Sequence, residues 1–483
     1  MHFQKHSLRA LFITAFLSWI ILVSPAALAD GFDQAMDAFD NLDEEIVVDE
    51  EAIPESPSHF RLSGYGKLST VVTYAQPAPQ QGETDYRGLY RLRPELDAKL
   101  DVDIAGSWKA RVGGRFWYDF AYDLKDRDDF TEPTLDEMET EAELWEAYIE
   151  GRPFKGLDLR LGRQIVVWGT SENIRVTDVI NPLDLRESGM VDIEGLRLPT
   201  AMARADLTLG YWTITGLAIP EIRPALQPPY GGMYYPSDIQ LPDDHPPVDS
   251  AGNMEYGASI AGHLPGWDIS FYFADIYMDL PYLKTTVEAK LIRPPIFIPP
   301  ATILPPIIQY PEFEYHYVRV QMYGASTAIA LGNWLLKAEA AYFTGLKYFN
   351  EPNEDRDRFD GLLGLEYTGF TDTTISLDVA CRYMPSYEEV LETAPDNNPE
   401  SQPEAAVRIQ RDFRNDTFHL TLLATALGHD GGDGWFARAE STYDWTDNLN
   451  FTLGIVGYGA DDDGYFAYAK DNDCVFFDIK YSF

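Results

Sequence analysis

From Arg87 to Asp123, residues of one chemical class alternate with residues of another. Arg87, Leu89, Arg91, Arg93, Glu95, Asp97, Lys99, Asp101 and Asp103 share one face of the first run; Gly88, Tyr90, Leu92, Pro94, Leu96, Ala98, Leu100, Val102 and Ile104 share the other. After a turn at Ala105-Gly106 the rhythm resumes, with Lys109, Arg111, Gly113, Arg115 and Asp119 set against Trp108, Ala110, Val112, Phe116, Tyr118 and Phe120. Period two means β-strand, because successive side chains point to opposite faces. A soluble sandwich alternates too, but with less charge on its polar face and less aromatic cover on the other. Strands this long, apolar on one side and rich in both charge signs on the other, predict a transmembrane antiparallel β-barrel with lipid outside and water inside.

Both ends of the chain agree. Residues 1–29 begin with Lys5 and Arg9, continue through an apolar stretch from Ala10 to Val23, and finish on Ala27-Leu28-Ala29. That is the pattern of a cleaved secretory signal peptide, and its apolar part is shorter than the roughly 20 residues a membrane helix needs. At the far end Val475, Phe477, Ile479, Tyr481 and Phe483 alternate with Cys474, Phe476, Asp478, Lys480 and Ser482. A last strand closing on a terminal Phe resembles the end of bacterial outer-membrane barrels. No other segment offers a helical span.

Hydrophobic residues make up 45% of the chain and aromatic residues 13%, which excludes a disordered product. The mean hydropathy of −0.25 is no objection, since an alternating pattern averages itself away. A net charge of −41 excludes nucleic acid as a partner. Part of that acidity is local: residues 30–58 carry no Lys or Arg, and Asp43-Glu44-Glu45 and Asp49-Glu50-Glu51 lie at their centre. They read as an acidic, disordered periplasmic arm preceding a barrel over 59–483. Phe32, Met36 and Phe39 leave open a plug or a docking peptide for a periplasmic partner. The two cysteines, Cys381 and Cys474, fall on strands too far apart to bridge, so two free thiols are expected.

Candidate strands lie at about 60–74, 86–104, 106–121, 139–151, 156–168, 197–209, 211–220, 252–264, 266–278, 315–331, 333–346, 359–369, 372–384, 404–412, 416–428, 434–445, 448–459 and 473–483. Short links such as Pro265-Gly266 and Gly332-Asn333 alternate with long ones, the habit of tight periplasmic turns and long extracellular loops. Both termini on one side require an even number of strands. A split at Arg414-Asn415 turns seventeen into about eighteen, with sixteen the alternative. Three loops stand out: 169–196, dense in charge; 221–251, rich in Pro and Gly; and 279–314. The last contains Pro294-Pro295, Pro299-Pro300 and Pro305-Pro306 among isoleucines, so polyproline-like chain rather than a strand ladder is expected over 291–308. Such a stretch would fold over the barrel mouth, form a greasy lid for a ligand, or dock a partner.

The most motif-like stretch is Leu161-Gly162-Arg163-Gln164-Ile165-Val166-Val167-Trp168-Gly169, followed by Asn181-Pro182-Leu183-Asp184. G-R-Q, then W-G, then N-P-x-D resembles an uncharacterised family of proteobacterial outer-membrane barrels, a domain-of-unknown-function group. More distantly it resembles porins of the alginate-export type. The resemblance implies a channel or transport component with an inward-folded loop, and no particular substrate.

The residues themselves argue further. Arg163 falls among the apolar positions Leu157, Leu159, Leu161, Ile165 and Val167, and an arginine facing mid-membrane lipid costs about 2–4 kcal/mol. Either a bulge near Gly162 turns it inward or it sits near an interface. The loop after it carries Glu172, Arg175, Asp178, Asp184, Arg186, Glu187, Asp192 and Glu194. These can bind the loop to a basic wall of Arg91, Arg93, Lys109, Arg111, Arg115 and Arg163, forming a constriction whose field orients solutes. In the alternative, the same charges neutralise one another and fill the lumen. Trp108, Tyr118, Tyr122, Trp145, Trp168, Trp212, Trp267 and Trp334 are expected in interfacial belts rather than in a sugar slide.

Catalysis finds little support. No G-x-S-x-G or H-E-x-x-H occurs, and His59, His245, His263, His316, His419 and His429 are scattered. The clusters His429-Asp430-Gly431-Gly432-Asp433 and Asp461-Asp462-Asp463-Gly464 lack EF-hand spacing and read as solvated surface, with loose Ca²⁺ binding the alternative. No catalytic residue, metal site or cofactor is therefore expected. The reading is an outer-membrane barrel set in lipid and lipopolysaccharide, acting as a porin-like transport channel for an unknown small solute, with loop 169–196 as its constriction. The alternative is a non-conducting barrel that handles hydrophobic or lipid-like cargo under the Pro-rich lid, with a periplasmic partner on residues 30–58. An outer-membrane hydrolase is the least supported.

Overall fold

A computed structural model describes residues 59–483, apart from 81, 238, 243, 289, 294–295, 299–301, 305–306 and 463, and leaves the side chains of 291–309 undescribed. The expected signal peptide and acidic arm lie outside the described residues. The rest closes into one sheet of eighteen antiparallel strands. In chain order these are β1 (Phe60–Thr73), β2 (Gly88–Ala105), β3 (Trp108–Tyr118), β4 (Thr140–Phe154), β5 (Leu157–Gln164), β6 (Thr200–Leu209), β7 (Trp212–Ile219), β8 (Glu255–Leu264) and β9 (Trp267–Tyr277). They continue as β10 (Arg319–Leu331), β11 (Trp334–Leu346), β12 (Arg356–Phe370), β13 (Thr373–Tyr383), β14 (Ser401–Phe413), β15 (Phe418–Leu427), β16 (Gly434–Asp444), β17 (Leu449–Gly459) and β18 (Cys474–Ser482). Each strand pairs with its neighbours in sequence, and β1 pairs with β18 from Tyr65↔Ser482 to Thr73↔Cys474, so the ring has no free edge.

The closing seam shows why alternation dictates this fold. Val72, Thr70, Leu68 and Gly66 face Val475, Phe477, Ile479 and Tyr481 on the outside; Val71, Ser69, Lys67 and Tyr65 face Phe476, Asp478, Lys480 and Ser482 on the inside. Around the ring the outward positions stay apolar and exposed, among them Leu161, Ile260, Phe271, Leu363, Leu377, Val407 and Leu453. Only lipid makes such a surface stable. Trp212, Trp267 and Trp334 stand exposed beside the short turns, as an interfacial belt requires. Tyr118, Tyr122, Trp145 and Trp168 do not join them: all four are buried. Cys381 is exposed, Cys474 is buried, and both are free.

The long loops gather at the end opposite the short turns. L1 (74–87), L2 (119–139) and L4 (220–254) knit together there: the Tyr86 hydroxyl donates to the Gly231 carbonyl, and Thr134 donates to the carbonyl of Tyr230. L5 (278–318) departs from the expectation for its prolines. Tyr282–Val287 pairs with Glu312–His316, Lys290–Arg293 with Ile307–Gln309, and Ile296–Ile298 with Thr302–Leu304. These nested ladders make one long hairpin. A ladder needs backbone N–H groups, and the ladder segments are the proline-free stretches between the Pro-Pro pairs.

Candidate functional site

L3, residues 165–199, joins β5 to β6 and makes more polar contacts with distant strands than any surface loop needs. Its root is wired by the G-R-Q…W-G…N-P-x-D residues. Gly162 has φ +129°, and a Cβ there would meet the Ala147 carbonyl oxygen at 2.2 Å, so only glycine fits. The following Arg163 lies one residue from the loop-side end of β5. It pairs with Glu143 at 2.8 Å and with Glu221, so its charge is never left facing lipid. Gln164, fully buried, donates to the Met202 carbonyl. Asn181 accepts from the Val166 N–H at 2.7 Å and donates to the Leu198 carbonyl at 2.8 Å, tying the outgoing and returning chain together. Asp178 accepts from the Trp168 N–H and binds Arg197 at 2.9 Å.

From this root the proximal half of L3, residues 166–181, lies against inward positions of the wall. Trp168 stacks on Tyr272 of β9 with ring centroids 5.0 Å apart. Val166, Ile174, Val176 and Ile180 pack with Met202, Leu217, Ile276, Val320, Met322 and Phe343 from β6, β7, β9, β10 and β11. Glu339, an inward carboxylate of β11 that is only 6% exposed, accepts from the backbone N–H groups of Thr170 (2.5 Å), Ser171 (2.8 Å) and Thr177 (3.2 Å) and from the Thr177 hydroxyl. Gly169 at φ +83° lets the chain turn over that carboxylate, for a Cβ would sit 2.6 Å from its oxygen. On β13, Asp378 accepts from the Ser171 hydroxyl and the Asn173 amide, each at 2.8 Å.

The distal half, residues 184–197, is held chiefly by charge. Glu187 pairs with Arg91 and with Arg93 (3.3 Å) on β2. Arg186 binds Glu141 of β4 at 2.6 Å and Asp184 at 2.6 Å. Asp192 pairs with Arg408 of β14 at 2.6 Å and with Arg438 of β16. The Tyr458 hydroxyl of β17 donates to the Ser188 carbonyl at 2.8 Å. Burial pushes the Glu187 carboxyl up, but the Arg91 and Arg93 guanidiniums outweigh it and hold it well below the usual carboxylate range. Asp192 is likewise lowered: burial raises it, and Arg438 and Arg408 lower it further than that.

The charges expected from sequence thus divide. Arg91, Arg93 and Glu187 meet. Arg111 pairs instead with Asp101 at 2.7 Å and Arg115 lies near Glu95 and Asp97, both within the β2–β3 hairpin. Lys109 is exposed near the turn, 3.8 Å from Asp103. Arg175 binds Asp178 and the Asn181 carbonyl, Asp184 binds Arg186, and Glu172 is exposed. The wall also carries aromatic seats: Arg93 lies 4.0 Å over Trp117 and Arg115 lies 3.7 Å over Trp145. Glu339, Asp378, Arg408 and Arg438 were not legible as site residues, because an isolated charge at an inward strand position does not reveal its partner some 160 to 250 residues away.

A closed barrel with an apolar exterior is an outer-membrane β-barrel, since lipid tolerates only strands whose backbone groups are all paired around a ring. A family model described as "Protein of unknown function (DUF1302)" matches residues 57–483, and the chain belongs to that family. No curated protein matches it. Among solved structures, a BenF-like porin from Pseudomonas fluorescens Pf-5 superposes with a TM-score of 0.50 at 11% identity, covering 88% of this chain and 98% of that one. Pseudomonas aeruginosa OpdK with vanillate gives 0.49 at 9% identity, with the same coverage. Acinetobacter baumannii OccAB2 gives 0.47 at 10%, again over 88% and 98%. At such identities the BenF-like porin shares a fold with this chain and nothing finer.

Proposed function

We propose that the protein is an outer-membrane transport channel whose bore is narrowed by L3. The observation that carries this is the simultaneous attachment of one loop to β2 through Glu187 and to β11 through Glu339, strands on opposite sides of an eighteen-stranded ring. In this reading Arg91, Arg93, Arg408 and Arg438 line the constriction, Glu187 and Asp192 are its counter-charges, and Arg111, Arg115 and Lys109 face the wider part toward the turns. Residues 1–29 are the export signal, and 30–58 form a periplasmic arm open to a partner. The chemistry is passive: orientation and selection by charge.

Single-channel recording of the refolded protein in a planar bilayer, under a salt gradient, tests it. A small steady conductance that grows when 184–197 is shortened is expected. A folded, heat-modifiable barrel that stays silent in both forms would overturn the channel. The second reading, a carrier of hydrophobic cargo, draws on the 282–316 hairpin, whose sequence from 289 to 311 has no acidic residue. Deleting 291–308 separates the two: a pore conducts as before, whereas a carrier loses its apolar ligand.

A further inference from the structure

We propose that the solute is a small organic anion bearing carboxylates, and that it passes by taking over two arginine-pair seats that L3 fills with its own carboxylates. This rests on the channel reading and gives that channel a substrate class. Each seat has the same composition. On one side Arg91 and Arg93 hold Glu187, with Asp119 3.2 Å from Arg93; on the other Arg408 and Arg438 hold Asp192, with Glu440 3.5 Å from Arg438. Two guanidiniums against two carboxylates balance. Arg93 is 9% exposed and Arg438 3%, so these two guanidiniums depend on carboxylates more than on water, although Asp192 itself is more open.

Withdrawal of L3 changes that balance. Removing Glu187 or Asp192 leaves two arginines facing one carboxylate, and an uncompensated buried charge strongly opposes the movement. A neutral solute cannot relieve it and a cation worsens it. A carboxylate from solution restores the balance, because it offers the same two oxygens in the same planar geometry as the side chain it replaces. The seats also have donors to spare: Nε of Arg91 and Nε of Arg408 are buried and have no hydrogen-bond partner. A ligand moves such an equilibrium only through its preference for one state, and a free carboxylate prefers the state in which L3 has vacated the arginines.

The test is bilayer recording of the full-length chain in chloride with malonate or glucose added at equal concentration. Malonate is expected to raise the open fraction several-fold in a saturable way, and glucose to leave it unchanged. The double variant E187Q/D192N is expected to conduct more from the outset and to show no further response to malonate. Equal opening by glucose, or an undiminished malonate response in the double variant, overturns the proposal. So does an unresponsive wild-type channel when a barrel with 184–197 replaced by a Gly-Ser linker conducts. If even that shortened barrel is silent while folded, the channel reading itself falls and takes this proposal with it.

Discussion

The two halves of L3 are fixed by different physics. The proximal half buries Trp168, Ile174, Val176 and Ile180 against apolar inward positions, presents backbone N–H groups to Glu339, and donates the Ser171 hydroxyl and the Asn173 side-chain amide to Asp378. The distal half has fewer apolar holds, Met190 and Leu196 among them, and otherwise depends on Glu187, Arg186 and Asp192 reaching charged strand residues. Apolar burial is insensitive to salt and pH, whereas ion pairs can be exchanged for other ions. A loop built this way has a fixed root and a distal section that competing charge can loosen. Any loosening of L3 should therefore begin in residues 184–197, with 166–181 held against the wall.

The largest effect should follow from Glu339→Ala. The change strips three loop N–H groups of their acceptor, that of Thr177 buried and those of Thr170 and Ser171 partly so, a loss on the order of 3–5 kcal/mol for local order. Hydrogen exchange over 169–177 should quicken by roughly 10²–10⁴-fold with the barrel intact. Trp168→Ala comes next at about 2–4 kcal/mol, read in the same peptides, since it removes the ring stacked on Tyr272 and opens a cavity. Neither change should expose 184–197 as strongly as 166–181. Equal exposure of both halves would mean that L3 opens as one unit.

These contrasts also explain what could be read in advance. The strands were legible because lipid outside and water inside enforce period two, and the wedge from Arg87 to Asp119 shows it cleanly. The eighteen-strand ring followed from that rhythm plus turn chemistry. Where L3 covers the wall the rhythm blurs: Tyr272, Ala274 and Ile276 on β9 point inward yet are apolar or aromatic, because a loop rather than water meets them. Gly162, Gln164, Trp168 and Asn181 were conspicuous as a motif, and their role proves to be the wiring of the loop root. The ionic partners were the least legible part. Charge density named the loop residues, but Asp192 meeting Arg408 and Arg438 depends on how far around the ring the chain travels. The Pro-rich hairpin differs from its expected polyproline-like chain for a related reason: a ladder can be interrupted and resumed, and composition alone does not show the resumption.

A moderate effect should separate the halves directly. Glu187→Gln keeps the shape of the side chain but leaves Arg91 and Arg93 with Asp119 as their remaining carboxylate, costing about 1.5–3 kcal/mol in the order of the distal half. Exchange over 184–197 should rise, with 166–181 unchanged. Acid should produce the same picture without mutation. Because Glu187 and Asp192 are held below the ordinary carboxylate range in the fold, their contribution is complete above about pH 4 and is lost as pH falls through their lowered values. Distal exchange should therefore climb on acidification below that point. A proximal half that loosens first would contradict the assignment of each half to its own physics.

The smallest effect has the opposite sign. Asp279, at the start of L5, is half-buried beside the L3 root. Burial pushes its carboxyl up to about 6; Arg175 opposes the shift and Asp178 adds to it. A group whose value is raised in the fold favours the folded state below its unfolded value, near 4, and that advantage disappears as pH climbs through 6. At pH 7 Asp279 is charged at some cost. Asp279→Asn removes that cost, so it should slow exchange at the L3–L5 junction by on the order of 1 kcal/mol at pH 7 and by little at pH 4. The proximal root would then tighten toward acid while the distal clamp releases. Hydrogen exchange measured from pH 7 to pH 3 on the wild type and this variant reads both trends in one series, and parallel rather than opposed slopes would remove the distinction between the two halves.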